Sequence, residues 1–196
     1  MRLGQSLIGN PVISITGGRN LGQVRDLYLD ANLRFIVGIY LGSEGLIKRK
    51  PNLVRYVDVV VFGIDAVLVQ STDVVRKGNE VSDLAQWLRL DDLRGRDVDT
   101  PGGTKIGKVG DVVLDERGRI IGFSLTHISV EGPVAENKAI SRMAMTDSGD
   151  EDGVMTIDLA QAEQENLRVD PGSLFSEPTV AETPQMSTRT KIERGG

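Results

Sequence analysis

At 196 residues, with 39% hydrophobic and 26% charged residues and 23 glycines, the chain has the composition of a turn-rich globular protein, long enough for one ordinary domain or two small ones. A net charge of −5 argues against generic DNA binding, which needs a basic face; residues 1–90 nonetheless hold 11 Lys+Arg against 8 Asp+Glu, and the remainder 12 against 20. The absence of cysteine removes disulfides, thiolate nucleophiles and thiolate metal sites, and fits a reducing compartment.

The apolar run after Met1-Arg2-Leu3-Gly4-Gln5-Ser6 is too short for a secretory signal, and no stretch approaches the ~20 apolar residues of a membrane span, so a cytoplasmic protein is expected. The first organised segment is Gly17-Gly18-Arg19-Asn20-Leu21-Gly22-Gln23-Val24-Arg25-Asp26-Leu27-Tyr28-Leu29-Asp30. A polar turn leads into Val37-Gly38-Ile39-Tyr40-Leu41, whose alternation predicts a half-buried strand with Val37, Ile39 and Leu41 on one face and Gly38 and Tyr40 on the other. Further strands are predicted at 57–61 and 66–69. Ser82 is a plausible N-cap for a helix over 82–90, whose Leu84, Trp87 and Leu88 share one face and are expected to pack on a barrel.

The pattern then begins again. Gly102-Gly103-Thr104-Lys105-Ile106-Gly107-Lys108-Val109-Gly110-Asp111-Val112-Val113-Leu114-Asp115 matches the first segment without a gap, at an offset of 85 positions. Asp115-Glu116-Arg117-Gly118 is a tight-turn sequence, and Ile121-Gly122-Phe123-Ser124-Leu125 repeats the return strand at an offset one shorter, with Ile121, Phe123 and Leu125 on one face. Strand candidates at 138–145 and 154–157 flank an acidic turn, and a short helix follows at 159–167, started by Asp158 and stopped before Asp170-Pro171-Gly172. Beyond about Phe175 the Ser, Thr, Pro, Glu and Gln content reads as a disordered tail. Each copy thus holds roughly five or six short strands, as a small barrel requires.

Several motifs have bland explanations. Gly102–Lys108 imitates a phosphate loop, but Val109 stands where the hydroxyl belongs and a strand follows instead of a helix, so a β-turn is expected. In Asp147-Ser148-Gly149-Asp150-Glu151-Asp152-Gly153, aligning Gly153 with the glycine of a calcium loop puts Ser148 and Leu159 at ligand positions, so a solvated acidic hairpin is expected. His127, the only histidine, is read as structural, on the apolar face or at a barrel rim. Asp26 and Asp111 stand at equivalent places and are read as hydrogen-bonding nearby backbone rather than as catalytic carboxylates. Lys48, Arg49 and Lys50, followed by Pro51 and with Arg55 nearby, form the one concentrated basic site and the candidate partner-binding residues. No catalytic residue, cofactor or metal is expected.

Gly22-x-Val24-x-Asp26 with Gly38, and Gly107-x-Val109-x-Asp111 with Gly122, resemble the PRC-barrel, the barrel of the photosynthetic reaction-centre H subunit and of the ribosome maturation factors. The resemblance covers about 1–75 and 91–160, and the tandem order followed by Met155-Thr156-Ile157-Asp158-Leu159-Ala160-Gln161-Ala162-Glu163 is similar to proteins of photosynthetic bacteria, particularly cyanobacteria. It implies a mainly β fold of two tandem small barrels: 1–78, a helical linker at 79–92, 93–170 with a short helix, and a tail at 171–196. The family's barrels are generally docking surfaces, so the resemblance implies a non-catalytic interaction or assembly adaptor, with subunits of a photosynthetic membrane complex as partners and peripheral membrane contact. RNA or ribosome association through the basic loop of the first barrel is the second expectation.

Overall fold

Alternating apolar residues between glycine-rich turns give short strands in both halves of the chain. The computed structural model describes residues 1–44, 50–165 and 167–168. Its first half carries β1 (Arg2–Leu3), β2 (Pro11–Ser14), β3 (Asn20–Gln23), β4 (Asp26–Leu29), β5 (Ile36–Glu44), β6 (Lys50–Arg55), β7 (Val59–Phe62), β8 (Val67–Val69) and β9 (Arg76–Lys77). The second half carries β10 (Leu88–Arg89), α1 (Leu90–Leu93), β11 (Asp97–Asp99), β12 (Lys105–Leu114), β13 (Ile120–Thr126), α2 (Pro133–Asn137), β14 (Ala139–Ser141), β15 (Met145–Asp147), β16 (Val154–Ile157) and α3 (Leu159–Glu165).

Both halves follow one sheet order. In the second it is β14-β13-β12-β11-β16-β15. In the first, β6-β5-β4 and β3-β2-β8-β7 trace the same path in two pieces, because the strand corresponding to β12 is interrupted at Val24 and Arg25. One parallel pair, β2 with β8 and β11 with β16, sits among antiparallel neighbours in each half. A 3-10 turn at Tyr56–Asp58 takes the first two residues of the strand expected at 57–61, and one at Arg142–Ala144 divides the strand expected at 138–145; each carries the chain across the curled sheet.

The alternation expected for the return strands is reset by a bulge. The registers of β4 against β5 and of β12 against β13 shift between Tyr28 and Leu29 and between Val113 and Leu114, leaving Val37 and Ile121 as the extra residues. One extra residue reverses the phase of the side chains before it. Ile36 and Ile120 therefore enter the core beside Ile39 and Phe123. Val37 turns to the outer face, where it joins a small cluster with Tyr28, Tyr40, Leu53, Val81, Leu84 and Trp87. Ile121 is half-buried.

The segment at 82–90 departs from the predicted helix. It forms a 3-10 turn (Leu84–Gln86), then β10, whose backbone is taken up by pairing with β4. Leu84 and Trp87 still cover the first barrel, as their spacing implied. The C-terminal helix forms as expected: the Gln161 N–H donates to Asp158 Oδ1 at 3.0 Å, the contact of an N-cap. Residues 171–196 lie outside the described residues. Among the described residues no helix is long and apolar enough to cross a membrane.

Candidate functional site

The two halves exchange their first strands. β1 opens the first half but pairs with β12 of the second, Arg2 opposite Leu114 and Leu3 opposite Val113. β10 opens the second half and pairs with β4 of the first, Leu88 opposite Leu29 and Arg89 opposite Tyr28. The contacts are reciprocal, as in an isologous dimer contained in one chain. The return hairpins meet on the same pseudo-two-fold axis. Phe35 and Arg119 form an antiparallel bridge, flanked by Ile36 N–H donating to the Gly118 carbonyl at 3.0 Å and Ile120 N–H donating to the Arg34 carbonyl at 2.8 Å. Tyr56 Oη donates to the Arg117 carbonyl at 2.6 Å. Arg142, at the place of Tyr56 in the second copy, donates to the Leu33 and Asn32 carbonyls at 2.9 and 3.0 Å.

Asp26 and Asp111 hold the exchanged strands. They are 1% and 3% exposed. One oxygen of each accepts the next residue's N–H, Leu27 and Val112, both at 2.8 Å, which is the local backbone bond expected from the sequence. The second oxygen reaches across the exchange. Asp111 Oδ2 accepts the Gln5 N–H at 2.8 Å, just after β1, and Asp26 Oδ2 accepts Arg89 Nε at 2.6 Å, within β10. The Arg89 guanidinium also lies 4.6 Å from the centre of the Tyr40 ring. Gly4 permits the close approach: a Cβ there would meet Val112 Cγ2 at 2.7 Å and Leu90 Cδ2 at 2.9 Å. Leu7, 1% exposed, and Leu93, fully buried, anchor the two first segments in the shared core. Each contributes about 1.5–3 kcal/mol by burial.

Burial raises the carboxyl pKa of both aspartates above 3.8, although backbone N–H groups oppose the shift in both, Arg89 opposes it at Asp26 and Arg94 at Asp111. A carboxylate with a raised folded-state value contributes stability that is present below 3.8 and lost as pH rises through that raised value. Asp97 and Asp115 have the opposite sign. The Lys108 hydrogen bond lowers Asp97, and at Asp115 burial is outweighed by hydrogen bonds from Arg119 and Arg117, so their contributions fade as pH falls below 3.8. Urea titrations are therefore expected to show the wild type losing stability relative to D26N/D111N as pH rises through the window just above 3.8. A pH-independent difference would contradict this assignment.

The candidate basic residues are not gathered into one site among the described residues. Lys48 and Arg49 lie outside the described residues. Lys50 is exposed at the start of β6, whereas Arg55 ends that strand, about 17 Å away at ~3.3 Å per residue. Arg55 stands 3.8 Å from Asp83. His127 is exposed just beyond β13, at the rim, with a left-handed φ of +49°. Gly102 and Gly103 lie in the turn before β12, so a strand follows them. In the acidic segment the Gly149 N–H donates to Asp147 Oδ1 and the Val154 N–H to Asp152 Oδ1, while Arg96 donates to the Ser148 and Gly149 carbonyls. Among the described residues no group of three or more His, Cys, Asp or Glu could hold a metal ion. Sequence reasoning missed Gln5, Arg89, Tyr56 and Arg142, which act across the two copies. The one available signal was the match of Leu7 with Leu93 ahead of the recognised repeat.

Together these features define a tandem, strand-exchanged β-sheet module. A family model for the PRC-barrel domain matches residues 1–76 and 88–158. The chain belongs to the PRC-barrel domain family and carries the domain twice. The second match starts at Leu88, the first residue of β10, so each exchanged strand belongs to the copy that it opens. No curated protein matches the chain.

Proposed function

We propose that the chain is a non-catalytic adaptor that holds partner proteins during assembly or regulation of a photosynthetic membrane complex, acting in the cytoplasm and at the cytoplasmic face of the membrane. The observation that carries this reading is the reciprocal strand exchange between β1 and β12 and between β10 and β4. It fixes two related copies of one fold in a single body, so two weak contacts on one partner complex gain from effective concentration. The two buried carboxylates are engaged in bracing that body, which favours a structural over an acid–base role. The photosynthetic assignment rests on the resemblance of the tandem arrangement to proteins of photosynthetic bacteria.

RNA or ribosome association through Lys48, Arg49, Lys50 and Arg55 ranks behind, because the Arg55 charge is already met by Asp83. Affinity capture of the tagged full-length chain from its native cells, after mild crosslinking at low and high salt, separates the two. Retention of subunits of one complex at high salt supports the adaptor. Ribosomal proteins lost at high salt support the second reading, since phosphate contacts are strongly salt-dependent.

A further inference from the structure

The two copies act as controls for each other. In the first, β2, β8 and β7 lie side by side, with Ile13 opposite Leu68 and Leu68 opposite Val61. These side chains form a row on the face turned away from Val12, Val67 and Val69, which are in the core. Val61 is 46% exposed and Ile15, next on the outer face beyond Ile13, is 50% exposed. Ile13 and Leu68 are half-buried. In the second copy the same row reads Asp99, Thr156 and Asp147, and Pro101 takes the place of Ile15. The fold thus forms with two carboxylates and a hydroxyl in this row, although Asp99 Oδ1 is enclosed without a hydrogen-bond partner among the described residues, so the sheet does not demand aliphatic residues there. Among the described residues Ile13, Leu68 and Val61 pack against neither hydrophobic core. Contiguous aliphatic surface that the fold does not need marks an interaction site.

We propose that this face of the first copy is a docking surface for one short aliphatic segment of a partner protein. The proposal rests on the adaptor reading and names the surface that serves it. β2, β7 and β8 contain no Lys, Arg, Trp or Tyr, and the nearby Arg2 guanidinium is engaged by the Phe62 and Gly63 carbonyls, so the face offers little to a phosphate or a lipid headgroup. Its few part-exposed side chains amount to a few hundred Å², roughly half of the ~800 Å² per partner that a stable dimer buries. That area suits a single segment and is too small for a second copy of the chain. β7 is the last strand of its sheet; Arg2 donates to the Phe62 and Gly63 carbonyls at the strand's C-terminal end, and the bulge between Val59 and Val61 leaves Val60 50% exposed beside the row. A segment lying beside Val60 and Val61 can lay alternate side chains onto the face.

V61D/L68T tests this with residues that the second copy already carries at the equivalent positions. The probe is a fluorescein-labelled octapeptide alternating valine and threonine, titrated against the full-length chain by fluorescence anisotropy, with an aspartate-for-valine peptide as control. The wild type is expected to bind the valine peptide saturably, and V61D/L68T at least about tenfold more weakly, with both proteins keeping one cooperative urea transition. Equal binding by the two proteins, or none, overturns the docking surface, while the crosslinked capture separately judges the adaptor reading. A concentration-dependent dimer in sedimentation that V61D/L68T dissolves overturns the partner segment and makes a second copy the occupant.

Discussion

Asp111→Ala is expected to lower the unfolding free energy by about 2–5 kcal/mol, because it leaves two backbone donors without their acceptor. The Val112 N–H is fully enclosed and has Asp111 Oδ1 at 2.8 Å; the Gln5 N–H has Oδ2 at the same distance. Losing the second bond also loosens the segment that supplies β1 to β12 and Leu7 to the shared core. Asp111→Asn would not restore the wild type, since one amide oxygen cannot take the place of two carboxylate oxygens that each accept a bond. The desolvation that raises the Asp111 pKa limits the loss, as an ionised carboxylate in that position is itself costly. Asp26→Ala is expected to cost less, about 1–3 kcal/mol, because Arg89 keeps Asp91 at 3.6 Å and remains partly solvated. Urea unfolding of the two variants under identical conditions gives the order; a smaller loss for Asp111→Ala than for Asp26→Ala would contradict the bracing role assigned to Gln5.

Gly122→Ala should destabilise by about 3 kcal/mol, whereas Gly38→Ala, at the equivalent place, should cost about 1 kcal/mol or less. A Cβ at Gly122 would stand 2.4 Å from the Ile140 carbonyl oxygen and 2.2 Å from Leu167 Cδ2. The leucine end can move, but the carbonyl is held in the β13–β14 ladder, where Gly122 lies opposite Ser141. At Gly38 the nearest atoms are Trp87 Cζ3 at 3.0 Å and the Val54 carbonyl oxygen at 3.2 Å, so a few tenths of an ångström of adjustment suffices. The lower unfolded-state entropy of alanine returns up to about 1 kcal/mol at both positions and leaves their difference intact. Thermal unfolding of the two variants measures that difference directly, and equal midpoints would remove the distinction between them.

The repeat was legible because the residues that define it lie close together in the chain and in the same order: Gly22, Val24, Asp26 and Gly38 recur as Gly107, Val109, Asp111 and Gly122. The local role of both aspartates followed from the same recurrence, since a side chain repeated in two copies is explained by a bond each copy makes for itself. Their second bonds were not legible. Gln5 lies 106 positions from Asp111 and Arg89 lies 63 from Asp26, and neither partner resembles the other. The bulges at Val37 and Ile121 were hidden for a different reason: a run of four apolar and glycine residues reads equally well in either phase, and only the pairing with β4 and β12 selects one. At 82–90 helix-forming side chains gave way to strand pairing with β4, a long-range interaction that propensity does not contain.

A chain without cysteine allows strand exchange to be tested by engineered disulfides. Leu3 lies opposite Val113 on β12, and the position equivalent to Val113 in its own copy is Tyr28 on β4. Under mild oxidation at micromolar concentration, L3C/V113C is expected to form an intramolecular disulfide in nearly every molecule, read by mass and by mobility before and after reduction, while L3C/Y28C remains a dithiol. Crosslinking of L3C/Y28C with L3C/V113C left reduced would mean that each barrel completes itself with its own first strand, and the interlocked pair of barrels would be wrong.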